Sequence, residues 1–104
     1  MLRITVATGD KVVVKLEGRL VGPWVEELRK TVWQTNAWRQ PLEIDVRDLT
    51  FADDEGEKAL AWLHRSGARF HGKTLFSEYL FGQLKIPLHP SQTVFDKSDK
   101  ETES

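Results

Sequence analysis

The residues best able to carry chemistry are three adjacent acids. In "TFADDEGEKAL", residues 50–60, Asp53, Asp54 and Glu55 follow a β-like run and precede a helix-like one. Carboxylates at such a junction can do three things. They can satisfy the unpaired N–H groups of a helix start, whose partial positive charge favours each anion by about 0.3 to 1 kcal/mol. Asp54 with Glu57 three residues later fits an Asp-x-x-Glu form of the capping box. They can also imitate a phosphate, because the same helix end accepts phosphoryl groups and Glu is a crude substitute for phosphoserine, carrying about one charge where phosphoserine carries nearly two. Finally, together with Asp45 and Asp48, they could offer hard oxygen ligands to Mg²⁺ or Ca²⁺. No EF-hand spacing with its glycine occurs, so no specific metal site is expected.

Other catalytic patterns are missing from the chain. The only histidines, His64, His71 and His89, lack the spacing of a helical zinc site, and there is no cysteine for thiol chemistry, disulfides or metal ligation. Neither a glycine-rich phosphate loop nor a nucleophile elbow is present. Paired carboxylates can do acid and base work, but no insertion stands ready to build a cleft around them. A chain without enzymatic activity and without a cofactor is expected.

Composition narrows the partners. The 104 residues, 39% of them apolar, suit one domain. Fifteen basic residues against sixteen acidic ones leave no net field to recruit nucleic acid or an anionic membrane. No run approaches a transmembrane span, and "MLRITVATGDK" lacks the apolar core of a signal peptide. A cytoplasmic protein is the expectation, and its oligomeric state is not legible.

The elements that must position the acids follow from periodicity. "RITVAT" alternates, and Gly9-Asp10 followed by "KVVVKLEG" predicts a hairpin of two antiparallel strands over residues 2–18. From Pro23, the residues Trp24, Val25, Leu28 and Val32 recur at helical spacing. "PLEIDVRDL" predicts a third strand, residues 54–66 a second helix capped by Gly67, "ARFHG" a fourth strand, and "SEYLFGQLKI" a last helix stopping before Pro87. Residues 1–90 then form the domain, and 91–104 a polar disordered tail in which only Val94 and Phe95 could dock. Trp24 is expected in the core. Trp33 and Trp62 belong at the flanks of the buried helix faces, either packed in the groove between two helices or serving as protein-binding anchors. Trp38 could cap the sheet edge or be exposed.

Three of these segments, in this order, carry a family resemblance. "VVKLEGRLVGPWVEELRK", "LEIDVRDLTFADDEGEKALAWL" and "GARFHG" resemble the STAS domain, the module of sulfate transporters and anti-sigma factor antagonists, over residues 2–84. The resemblance implies an α/β fold: a mixed, mostly parallel sheet of about four strands with an N-terminal hairpin, covered by helices. In the antagonist branch, the second serine of Asp-Ser-Ser-Gly is phosphorylated by a partner kinase. Here the tetrad is Asp53-Asp54-Glu55-Gly56, so Glu55 stands at the phosphoacceptor position without a hydroxyl. The implied function is a protein-interaction module that docks an anti-sigma factor-like kinase or similar regulator through Asp53, Asp54, Glu55, Gly56, Lys58 and Trp62. One alternative is a small-molecule or nucleotide-binding STAS domain. Another is a phosphoacceptor moved to Thr50 or Ser66, although each also suits a turn or cap.

Overall fold

The structure, a computed structural model, describes residues 1–35 and 40–90. The expected tail over 91–104, with Val94 and Phe95, and the two alternatives for Trp38 lie outside the described residues. The chain runs β1 (Leu2–Thr8), β2 (Val12–Leu20), α1 (Pro23–Gln34), β3 (Leu42–Ala52), α2 (Asp54–Arg65), β4 (Arg69–His71), α3 (Leu75–Leu84) and β5 (Leu88–His89). Strands β1 and β2 form the expected antiparallel hairpin, with Val6 opposite Val14. From β2 onward the neighbours are parallel, and the sheet order is β1-β2-β3-β4-β5. The α/β class and the mostly parallel sheet are those expected. Among the described residues the strands number five where about four were expected, because β5 is a pair of residues, too short to show any periodicity.

Alternation sorts the sheet into two unlike faces. Val14, Ile44 and Phe70 lie side by side in register. They join Val25, Leu28 and Val32 of α1, Ala59, Leu60 and Leu63 of α2, and Leu80 and Phe81 of α3 in one buried core. The Phe70 and Phe81 rings are 4.9 Å apart. One face therefore carries all three helices, as right-handed crossovers advancing in one direction require. The opposite face projects Lys15, Glu43, Asp45, Arg69, His71 and His89. Lys15 there sits 3.2 Å from Glu17 and 3.6 Å from Asp48. Its hydrogen bond to the Glu17 carboxylate holds that group below the usual carboxylate range and raises Lys15 in turn.

Helix ends follow side-chain chemistry. Pro23 opens α1, where a missing N–H is harmless. The last helix begins at Leu75, ahead of the "SEYLFGQLKI" pattern, because Thr74 and Ser77 cap each other's backbone N–H groups. Ser66 closes α2, and Gly67 follows it with φ 102°, the backbone that favours glycine just past a helix end.

Candidate protein-docking site

Two strand-to-helix turns lie together at the C-terminal ends of parallel strands, the usual place for sites in open α/β sheets. Leu20, the last residue of β2, pairs with Ala52, the last of β3, so the turn into α1 lies beside the turn into α2. Asp53 joins them. Its backbone N–H donates to the Leu20 carbonyl at 3.2 Å. Its Oδ1 accepts from Gly56 N at 2.8 Å, and its Oδ2 accepts from Gly22 N at 3.1 Å. One carboxylate thus caps α2 and pins the turn before α1, whose own N-cap, Gly22, has no side chain to offer. This corrects the capping box expected from Asp54 and Glu57. The cap is Asp53, and the third helical position is Gly56, which has no side chain to return the hydrogen bond.

Gly56 is buried because α2 starts in close contact with the sheet. A Cβ there would lie 2.3 Å from the Leu20 carbonyl oxygen, 3.1 Å from Leu20 Cγ and 3.2 Å from Ala52 Cβ. Asp53 and Gly56 are therefore structural residues of the turn.

The remaining acids face solvent. Asp54 and Glu55 are exposed in the first turn of α2. Glu55 pairs with Lys58 at 3.7 Å, with side chains 61% and 72% exposed. A surface pair at this spacing is worth only about 0.2 to 0.5 kcal/mol, so neither side chain is needed for folding. Trp62 follows Lys58 by one turn on the same side of α2. It is half-buried against the core, with the Arg29 guanidinium 5.5 Å from its ring centroid. Trp33 is not packed away between helices but 68% exposed, and Trp24 is half-buried against the core. Thr50 donates its hydroxyl to the Gly18 carbonyl at 2.9 Å, and Ser66 donates to the Trp62 carbonyl at 2.9 Å.

Sequence reading missed two features. Phe51, 39% exposed, is the next-to-last residue of β3 and pairs with Arg19, whose guanidinium lies 4.7 Å from the ring centroid. The signal was period-two pairing of two strands extended to their last residues. The second is the polar layer on the face opposite the three described helices. Asp45 is fully buried; its Oδ1 accepts from Arg47 N at 2.9 Å, and its Oδ2 lies 3.7 Å from Arg47 Nη2. This local clip accompanies the register shift between β2 and β3. Buried Glu43 meets His71 through Oε1 and Nε2, Lys11 approaches the other Glu43 oxygen at 4.0 Å, and the His71 and His89 rings are 5.2 Å apart. Among the described residues, no three His, Cys, Asp or Glu side chains form a group able to hold a metal ion. No helix among them is long and apolar enough to cross a membrane.

Burial, reinforced by His71, Arg69 and Lys73 against the opposing charge of Glu43, holds the His89 imidazole below the usual histidine range. His89 therefore stays neutral in the folded chain at pH values where the unfolded chain takes up a proton, which begins near pH 6.5. Stability attributable to His89 is complete above about pH 6.5 and declines as pH falls below it. Replacing His89→Gln should flatten that acidic limb of a melting-temperature profile. An unchanged slope would assign the limb to other groups.

No protein-family model matches the sequence, and no curated protein matches it. Solved structures match the fold. The chain is similar to the anti-sigma factor antagonist SpoIIAA in its unphosphorylated form, with TM-score 0.66 and 16% identity over 94% of this chain and 97% of that one. It is similar to the Bacillus cell fate determinant SpoIIAA in its phosphorylated form, with TM-score 0.64 and 17% identity over 95% and 100% of the two chains. A DUF3478-family protein with a SpoIIAA-like fold from Shewanella loihica PV-4 matches with TM-score 0.56 and 13% identity over 86% and 83%. The domain has the SpoIIAA-like, STAS-type fold.

Proposed function

We propose that this domain is a non-catalytic docking module of bacterial-type regulation in the cytoplasm. In this reading it is an anti-sigma factor antagonist-like protein whose second helix presents fixed carboxylates in place of a phosphorylatable serine. The observation that carries this reading is the division of labour among the three acids. Asp53 engages both carboxylate oxygens with backbone N–H groups, while Asp54 and Glu55 extend into solvent from the same turn. Both carboxylates stay in solvent, Glu55 held only by its weak surface pair with Lys58, and so lie within reach of a partner. Glu55 occupies the place where the STAS resemblance puts the phosphoacceptor, and the fold is shared with SpoIIAA structures of both phosphorylation states. Lys58 and exposed Phe51 add a cation and an apolar surface at the same end of the sheet. The partner is a regulatory protein, such as an anti-sigma factor-like kinase, with a basic patch that receives the two acids.

Photo-crosslinking from position 55, with exposed Tyr79 on α3 as the control position, tests the reading in extract from the native source. Capture of one kinase-like or sigma-like regulator from position 55, and not from position 79, supports it. Equal capture from both positions would contradict a site at the start of α2.

A further inference from the structure

We propose a second binding site, beyond the docking turn, in the cleft between Trp33 of α1 and Trp62 of α2. Its occupant is an acidic peptide segment of a partner protein that presents one bulky apolar side chain. Both helices follow parallel strands, so they run the same way and their ends fall together. Glu26, Glu27, Asp54, Glu55 and Glu57 lie in their N-terminal halves with the single cation Lys58, whereas Arg29, Lys30, His64 and Arg65 lie further along. The helical face is thus acidic at one end and basic at the other.

At the basic end lies a cleft of about 320 Å³, lined by Arg29, Lys30, Trp33, Gln34 and Trp62. Trp33 is 68% exposed on its rim. Trp62 is held against the core with the Arg29 guanidinium over its ring, so one wall is fixed before any ligand arrives. Among the described residues, neither Arg29 nor Lys30 has an ion-pair partner. Two indoles beside two uncompensated cations fit an apolar side chain flanked by carboxylates. Tryptophan and arginine are the side chains that most often anchor protein interfaces. The volume is at the lower end for small-molecule pockets, about 300 to 1,000 Å³, and is better matched to a single side chain.

The probes are three synthetic peptides: acetyl-Glu-Glu-Asp-Phe-Glu-Asp-amide, its Gln and Asn analogue, and its analogue with Ala for Phe. Each is titrated into the full chain while the indole N–H signals are followed by NMR. The acidic Phe peptide should shift the Trp33 and Trp62 signals to saturation with Kd of about 0.1 to 1 mM, weak because a flexible peptide must be ordered. Both analogues should bind at least about tenfold more weakly, and added salt should weaken the acidic peptide. Trp33→Ala and Lys30→Glu should each weaken it by about tenfold, and Trp33→Ala should leave the fold's NMR spectrum otherwise intact. Equal binding of acidic and neutral peptides, shifts confined to the start of α2, or no saturation would overturn the proposal. So would sedimentation showing a dimer that Trp33→Ala abolishes, since the occupant would then be a second copy.

Discussion

Gly56→Ala should lower the melting temperature by about 10 °C, the equivalent of roughly 2 kcal/mol in a domain of this size. Helix propensity alone predicts the opposite sign, because alanine is favoured over glycine by about 1 kcal/mol inside a helix. Packing decides against it. The new methyl would stand 2.3 Å from the Leu20 carbonyl oxygen, a backbone atom that cannot rotate away. That carbonyl also accepts the Asp53 N–H at 3.2 Å. Relief of the clash must tilt the first turn of α2 off the sheet and stretch the hydrogen bonds that Asp53 makes to both helix starts. Thermal unfolding followed by circular dichroism measures the change, and a melting temperature equal to or above wild type would show that the turn relaxes freely.

Asp53→Ala should destabilise the fold by about 2 to 3 kcal/mol, more than the roughly 0.5 to 2 kcal/mol of an ordinary N-cap. The excess follows from its second oxygen. Loss of Oδ1 leaves Gly56 N without its cap, and loss of Oδ2 frees Gly22 N in the neighbouring turn. Asp53→Asn keeps one acceptor and should cost about half as much. Asp54→Ala and Glu55→Ala, in contrast, should each stay within about 0.5 kcal/mol of wild type, as exposed positions do. Chemical denaturation of the four variants separates the structural acid from the two offered to a partner. Equal effects at all three positions would remove that separation.

Much of this arrangement is legible in the sequence because it rests on local signals. Alternation in β1 and β2, the glycine-containing turn between them, and Pro23 at a helix start each act within a few residues. The acids marked the start of α2 for the same reason. Choosing the cap among them required tertiary geometry, since Asp53 is selected by Gly22, thirty-one residues earlier. Burial of Asp45 and pairing of Glu43 with His71 depend on strand register, which apolar periodicity does not report for polar side chains. Trp33 shares helical phase with charged residues and proved exposed, whereas Trp62, in a similar phase, turned against the core beneath Arg29. Strand β5 was invisible because its pairing to β4 comes from the chain's return after α3 and not from its own two residues.

A regulator that reads the Glu55 carboxylate must lose affinity when the charge at that single position is removed or reversed. Wild type, Glu55→Gln and Glu55→Lys are compared by titration calorimetry against the regulator identified by crosslinking, with melting temperatures measured alongside. Glu55→Gln should bind about five- to tenfold more weakly, corresponding to about 1 to 1.4 kcal/mol, and Glu55→Lys should bind more weakly still. Glu55→Gln should melt within about 2 °C of wild type, and Glu55→Lys about 5 °C lower, because it sets a cation at the positive end of α2 beside Lys58. Equal affinity across the three proteins would contradict this and leave Glu55 as a solvated helix-end acid.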